Sequence, residues 1–87
     1  MICTLTDKES NVIDLLMKEY LSAVSNNGSF HSAHEGYAVI KEELDELWDE
    51  VKKKSSQRDR EKMLKESIQI AAMGMRFAID ICSEESK

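Results

Sequence analysis

The stretch YAVIKEELDELWDEV, residues 37–51, decides the fold that the sequence predicts. Its apolar residues recur three or four positions apart, which is the spacing of one face of an α-helix. The carboxylates between them fall on the other side, so the segment is predicted to form an amphipathic helix with an apolar stripe and an acidic face. The apolar stripe, which we expect to pack in the core, consists of Tyr37, Ile40, Leu44, Leu47, Trp48 and Val51.

Local signals around this stretch predict three helices. The first opens with a capping box formed by Thr6 and Glu9, and the run NNGS at 26–29 ends it. The second opens at Ser32 with Glu35 three residues later, a second capping box. The third is predicted from about residue 56 to about residue 83. The fold class is therefore all-α, with a three-helix protomer in which two longer helices run antiparallel.

Size and composition indicate the number of domains and the kind of partner. Eighty-seven residues with 41% hydrophobic and 33% charged residues, and without proline, describe one small folded domain spanning 1–87, with residues 1–5 and 84–87 frayed. The net charge of −5 argues against a nucleic-acid backbone as the main partner.

The two cysteines and the apolar runs indicate the compartment. Cys3 and Cys82 make no disulfide framework, and Cys82 is expected to be a buried thiol on a helix face. Neither a signal peptide nor an apolar run of membrane-spanning length is recognisable, so we expect a cytoplasmic protein without a membrane partner.

The third helix carries two apolar stripes where one would suffice. The main stripe comprises Leu64, Ile68, Ala71, Met75, Ile79 and Cys82. The second stripe comprises Met63, Ile70, Met73, Phe77 and Ile81. Because three helices alone can hardly cover both, the second stripe predicts a homo-oligomer interface, most simply a dimer that completes a four-helix bundle.

Carboxylates on the second and third helices are candidates for a metal site. Glu42 and Glu46 are like charges one helical turn apart, a pairing that an isolated helix disfavours by a few tenths of a kcal/mol. A bound cation would turn this repulsion into attraction, and carboxylate-rich sites suit Mg²⁺ or Mn²⁺. Glu66 and Gln69 fall beside the second stripe of the third helix, at a partly buried boundary. The alternative is an ordinary solvated face, since any amphipathic helix has a polar side.

The spacing of these residues resembles that of a known family. Glu-Glu-x-x-Glu at 42–46 followed by Glu-x-x-Gln at 66–69 is similar to the signature of the MazG-like, all-α nucleotide pyrophosphohydrolases, which ends in Glu-x-x-Asp. The match runs from about residue 34 to residue 80 and includes the short basic turn and the alanine-containing last helix. The departure is Gln69, which stands where the family has its final aspartate.

The resemblance implies a function and a set of site residues. Such enzymes are dimers or tetramers that cleave a nucleoside triphosphate to monophosphate and pyrophosphate with Mg²⁺. It implies metal ligands among Glu42, Glu43, Glu46, Glu66 and Gln69. One of Glu43 and Glu46 would position or deprotonate the attacking water. Because an amide brings no charge and cannot act as a general base, Gln69 keeps open a non-catalytic member that binds nucleotide or metal, or a helical interaction module.

Several polar residues admit two interpretations. Lys53, in the basic run between the second and third helices, is either part of a solvated turn or a phosphate contact. Arg76 either pairs with Asp80 one turn later or binds a substrate phosphate. His31 and His34 are explained by the start of the second helix, and no zinc-type pattern follows them.

Overall fold

The chain is all-helical in the computed structural model, which describes residues 4–83. The helices are α1 (Asp7–Asn27), α2 (Ala33–Val51) and α3 (Arg60–Asp80), with one 3₁₀ turn at Ser55–Gln57 before α3. No strand occurs within residues 4–83. The prediction of three helices is confirmed. Their lengths of 21, 19 and 21 residues are nearly equal, so the expectation that two of them are longer is wrong.

The starts of α1 and α2 follow the predicted capping chemistry with one difference. The Thr6 box is complete, since Glu9 N–H donates to Thr6 Oγ1 and Thr6 N–H donates to the Glu9 carboxylate. At α2 the Ser32 hydroxyl accepts from Glu35 N–H, but the Glu35 carboxylate accepts from His31 N–H at 2.7 Å, so the second box is incomplete.

The third helix begins later and ends earlier than the sequence predicted. Residues 55–57 form a separate 3₁₀ turn, and Asp59 caps α3 by accepting the N–H groups of Glu61 and Lys62. An aspartate at the cap satisfies two amides that would otherwise lack partners, which fixes the start there. The helix ends at Asp80 rather than near residue 83.

Helix α3 lies in the middle of the fold and packs against both α1 and α2, which hardly touch each other. The buried core is small and is built where α1, the loop after it, and α3 meet. Its centre is Ala23, Phe30, Ala72 and Met73, against which pack Leu16, Tyr20, Val39, Ile40, Phe77 and Ile81.

This arrangement reverses the expected roles of the two stripes of α3. Met73 is buried in the core, Phe77 and Ile81 pack against it, and Met63 and Ile70 are half-buried. The second stripe is thus covered by the chain's own helices. The main stripe is instead the more open one. Apart from buried Ile68 and half-buried Met75, its residues are exposed, namely Leu64, Ala71, Ile79 and Cys82. The predicted burial of Cys82 is wrong, because that residue follows the end of α3.

Helix α2 is rotated relative to the predicted apolar stripe. Its inward residues are Gly36, Val39, Ile40, Glu43, Leu47 and Glu50. Tyr37, Leu44 and Trp48 are 64%, 52% and 58% exposed, so the expectation that they pack in the core is wrong. A physical reason lies at Gly36, where a Cβ atom would come within 2.6 Å of the Phe77 ring. The bare backbone at this position lets α3 approach the side of α2 that carries Glu43.

Glu50 ties α2 to the start of α3. Its carboxylate is almost fully buried, accepts the backbone N–H of Asp59 at 3.0 Å and pairs with Lys53 at 3.1 Å. The Asp59 hydrogen bond first, and Lys53 second, hold the pKa of Glu50 below its usual range. Because Asp59 caps α3, this contact sets the position of that helix against α2.

The ends of the chain add little to the fold. Thr4 and Leu5 are exposed ahead of α1, whereas the rest of the expected frayed ends (1–3 and 84–87), and with them Cys3, lies outside the described residues. None of the helices in the described part is long and apolar enough to cross a bilayer.

Candidate functional site

Three carboxylates converge between α2 and α3. Glu43 and Glu46 come from adjacent turns of α2, and Glu66 comes from the facing part of α3. One carboxylate oxygen from each lies within 4.8 Å of the other two. No other group of three or more histidine, cysteine, aspartate or glutamate ligand atoms meets so closely within residues 4–83. We call these three residues the acid cluster.

The acid cluster is electrostatically unfavourable without a counter-charge. Glu66 is buried and Glu43 is half-buried. Burial, followed by the proximity of Glu46 and Glu66, raises the pKa of Glu43 to about 7. Burial and Glu46 also raise the pKa of Glu66. Like charges brought together in a partly desolvated place favour either protonation or a bound cation.

Gln69 completes the cluster as a hydrogen-bond donor. With its amide nitrogen facing the carboxylates, Gln69 donates to Glu43 Oε2 at 2.7 Å and to Glu66 Oε2 at 3.2 Å. This orientation follows from the hydrogen-bond partners, since the reverse would place the amide oxygen against carboxylate oxygens. The amide therefore bridges the acids of α2 and α3.

The donor set of the acid cluster fits a hard divalent cation. Carboxylate oxygens are the protein ligands that Mg²⁺ and Mn²⁺ prefer, and Mg²⁺ takes only a few of them while keeping other positions for water or phosphate. The geometry brings together Glu43, Glu46 and Glu66 of the predicted ligands, with Gln69 beside them. Glu42, by contrast, is exposed and lies outside the group.

Two cavities flank the acid cluster and share Glu43 and Gln69 as walls. The first, which we call the lysine cavity, has a volume of about 450 Å³. It is lined by Glu43, Glu46, Asp49, Lys62, Lys65, Glu66 and Gln69. The second, which we call the asparagine cavity, has a volume of about 430 Å³ and lies between the end of α1, the 28–31 loop, α2 and α3. Both volumes fall in the range of small-molecule sites.

The basic residues beside the acid cluster differ from those the sequence singled out. Lys53 pairs with buried Glu50 and does not line either cavity. Lys62 and Lys65 of α3 line the lysine cavity, and sequence reasoning missed them. For Lys62 the available signal was helical spacing, since a residue four positions before Glu66 lies on the same side of the helix. Lys65, one position before Glu66, has no such spacing signal.

Arg76 is a buried side chain in the wall of the asparagine cavity. It is 4% exposed, donates from Nη2 to Gly28 O at 2.7 Å and lies 4.1 Å above the Phe30 ring. Asp80 does not take Arg76 as its partner. It accepts the backbone N–H of Phe30 at 2.8 Å instead. The two side chains together hold the α1–α2 loop against α3, while Arg76 Nε has no hydrogen-bond partner.

The histidines lie away from the acid cluster. His31 Nδ1 is 3.6 Å from the Glu35 carboxylate, and its backbone N–H is the largest cause that lowers the pKa of Glu35. His34 is exposed in the first turn of α2. Both positions agree with a role at the start of that helix.

Comparison of the chain with family models, with curated proteins and with solved structures gives no match.

Proposed function

We propose that the chain is a Mg²⁺-dependent nucleotide pyrophosphohydrolase that cleaves the bond between the α- and β-phosphates of a nucleoside triphosphate or a related nucleotide. The observation that carries the proposal is the meeting of three carboxylates from two helices in a cavity whose lining also includes Lys62 and Lys65. Acids that only solvate a helix face would point away from the neighbouring helix. Glu66 is buried against it instead.

The residues divide the chemistry among them. When bound, Mg²⁺ or Mn²⁺ would neutralise phosphate charge and lower the pKa of a coordinated water. Glu43, Glu46 and Glu66 would hold the ion, and one α2 carboxylate would orient or deprotonate the attacking water. Lys62 and Lys65, on the same side as the acid cluster, would stabilise the negative charge of the pyrophosphate that leaves.

The test is the release of pyrophosphate from a panel of common and modified nucleoside triphosphates with and without Mg²⁺. Glu46→Gln and Glu66→Gln are expected to lower the turnover by at least about 100-fold, a loss of roughly 2.7 kcal/mol of transition-state stabilisation. Glu42→Gln is the matched control, because Glu42 lies on the same helix with an exposed side chain outside the acid cluster. Absence of product across the panel, together with a melting temperature indifferent to Mg²⁺, would refute the hydrolase.

Gln69 favours a second candidate function, the binding of metal or nucleotide without hydrolysis. An amide that bridges two carboxylates supplies neither charge nor a general base. Titration of Mg²⁺ or Mn²⁺ with a non-hydrolysable nucleotide separates the two functions. Mutual enhancement of the two affinities without turnover of the natural nucleotide would establish the binding protein.

We also propose that the chain self-associates through the open faces of α1 and α3. Large apolar side chains on these helices remain more than a third exposed, an amount unusual for a stable monomer of this size. They are Val12, Ile13, Leu15, Met17, Leu21 and Val24 on α1, and Leu64 and Ile79 on α3. The groove between Leu15 and Leu64 exposes more apolar than polar surface, with charged residues such as Lys18 and Glu61 at its edges. A second copy of the chain fits this face, since an isologous dimer buries the same apolar face of both copies at once.

Sedimentation equilibrium tests the assembly. Leu15→Glu and Leu64→Glu are expected to shift a dimer or tetramer to monomer, because each buries a charge in the interface. Lys54→Glu, at an exposed position just before the 3₁₀ turn and outside α1 and α3, is the control. A wild-type monomer at high micromolar concentration would exclude the assembly.

A further inference from the structure

We propose that the asparagine cavity is the subsite for the nucleoside part of the ligand, so that the substrate lies with its base and sugar against α1 and its polyphosphate toward Lys62 and Lys65. This orientation rests on the proposed function, because it places the α-phosphate at the acid cluster between the two cavities. The chemistry of each cavity carries the inference.

The floor of the asparagine cavity is apolar and fixed. Ala23, Phe30 and Met73 line it, and each is at least nine-tenths buried. Val39 of α2 adds a half-buried wall. Such a surface offers dispersion contacts to the flat face of a heteroaromatic ring, as ligand sites with largely apolar linings do.

The rim of the asparagine cavity carries uncharged donors and acceptors. Asn26 and Asn27 stand at the end of α1, with Ser22 one turn earlier and Ser29 just after the helix. Asn26 donates to Ser22 Oγ over a long 3.4 Å, so this contact is readily exchanged for one with a ligand. Amide side chains match the paired donor and acceptor groups on a nucleobase edge, and hydroxyls suit a sugar.

Both cavities are lined by several carboxylates, but their cationic groups differ. Glu19, Glu35 and Glu43 place carboxylates around the asparagine cavity. The guanidinium of Arg76 in its wall is already engaged by Gly28 O and the Phe30 ring. The lysine cavity also has carboxylates, those of Glu43, Glu46, Asp49 and Glu66, but it adds the ammonium groups of Lys62 and Lys65. A polyphosphate would therefore meet these ammonium groups, and the cation that the acid cluster would hold, in the lysine cavity, whereas an uncharged nucleoside needs neither.

The residues shared by the two cavities show how one ligand could occupy both. Glu43 and Gln69 face both cavities, and Glu43 belongs to the acid cluster. Along α3, Gln69 and Met73 are one turn apart, about 6 Å at 1.5 Å per residue. A nucleoside over Met73 thus brings its 5′ end to the acid cluster without crossing open solvent.

The experiment uses nucleosides that lack phosphate, so that binding is read without hydrolysis or metal. Titration of adenosine, guanosine, cytidine and thymidine into ¹⁵N-labelled protein is expected to shift the amide signals of Asn26, Asn27 and Val39 at millimolar concentration. Ribose alone controls for the sugar. Shifts centred on Lys62 and Lys65, or none for any nucleoside, would overturn the subsite.

Two serines on α1 provide matched variants. Ser22→Trp fills the mouth of the asparagine cavity and is expected to weaken nucleoside binding by at least about tenfold. Because Ser22 also borders the groove between Leu15 and Leu64, sedimentation of both variants accompanies the titration. Ser25→Trp places the same side chain at an exposed α1 position outside that cavity and should leave binding within about twofold. Equal effects of the two substitutions would contradict the assignment.

Parallel assays distinguish failure of the subsite from failure of the proposed function. Inorganic tripolyphosphate with Mg²⁺ should bind wild type and Ser22→Trp alike, because it needs the lysine cavity alone. Pyrophosphate release without nucleoside binding at Asn26 and Asn27 would refute the subsite and leave the hydrolase standing. Nucleoside binding there without pyrophosphate release would support the subsite and refute the hydrolase.

Discussion

The side-chain amide of Gln69 lies 2.7 Å from Glu43 Oε2 and 3.2 Å from Glu66 Oε2, and its nitrogen donates to both. The amide thereby holds together two carboxylates on different helices that would otherwise repel. A cation in the same place would also reduce the repulsion between the carboxylates, but it would do so with a full positive charge, whereas the amide offers only N–H dipoles. A substitution of Gln69 therefore tests directly how the acid cluster affects metal binding and stability.

Gln69→Asp is expected to strengthen metal binding and to weaken the metal-free fold. The substitution removes the bridging donor and adds a fourth acid, so repulsion grows until a cation neutralises it. Melting curves should show a lower Tm than wild type without Mg²⁺ and a larger rise on adding it. Gln57→Asp, at an exposed position in the 3₁₀ turn, is the control and should show neither effect. A Mg²⁺ response equal to that of wild type would contradict the metal site.

The stability of the metal-free protein is expected to fall as the pH rises from about 4.5 to about 7. The pKa of Glu43 is raised from 4.5 to about 7, so the folded chain keeps a proton that the unfolded chain has lost in this window. The contribution of Glu43 is therefore fully present below pH 4.5 and is lost as the pH rises through the folded pKa of about 7. The raised pKa of Glu66 acts in the same direction.

Thermal melts at pH 5 and pH 8 without divalent cations measure this effect. We expect the Tm to drop by several degrees, on the order of 5 °C, over that interval. Glu43→Gln should flatten the dependence, whereas Glu42→Gln should preserve it because Glu42 stands outside the acid cluster. A wild-type Tm that increases from pH 5 to pH 8 would show that the acids are not close in solution.

Glu50→Ala is expected to destabilise the fold more than any exposed acid on α2. The buried carboxylate accepts the N–H of Asp59 and pairs with Lys53, so its removal leaves a partly buried donor and frees the start of α3. A Tm lower by on the order of 10 °C is the expected result. Asp45→Ala is the control, because Asp45 has only an exposed pair with Lys41. A similar decrease in Tm for both variants would show that Glu50 has no special role in holding α2 and α3 together.

Two glycine-to-alanine substitutions in helices should have opposite signs. At Gly36 the new Cβ would meet the Phe77 ring at 2.6 Å and the Phe30 ring at 3.1 Å, so the core must shift. We expect a loss of about 1–3 kcal/mol in the free energy of unfolding. At Gly74 nothing lies within 4 Å, and alanine should add about 0.5–1 kcal/mol through helix propensity. Urea denaturation measures both, and a stabilising Gly36→Ala would mean that α2 and α3 are not so close.

The sequence determined the local structure well because the signals for helix starts and stops are local. The Thr6 capping box and Ser32 contact neighbours only a few residues away, so their roles follow from the sequence alone. The start of α3 was predicted too early. Residues 55–57 form a separate 3₁₀ turn, and the helix begins only after Asp59. The position of Asp59 depends on its hydrogen bond to Glu50, nine residues away, which local signals do not show.

The acid cluster is predicted only in part by the sequence, because spacing along one helix does not show which residues face the next helix. Glu43, Glu46 and Glu66 are among the residues that the spacing and the resemblance indicated, and the geometry brings them together. Glu42 was included because sequence distance alone cannot show which of two adjacent acids faces the next helix. The lysine cavity needed the position of Lys62 and Lys65 against α2, which no pattern within one helix contains.

Only the tertiary structure decided which helix faces are buried. Periodicity in α2 and α3 yields stripes, but the choice among stripes depends on how closely two helices approach. Gly36 lets the Phe77 ring lie against the α2 backbone, and this contact turns Glu43 and Glu50 inward while Trp48 remains exposed. The sequence by itself thus determined that three helices form and which acids are available. The packing of side chains from distant positions determined which acids meet, because burial is a property of pairs of surfaces and not of one helix alone.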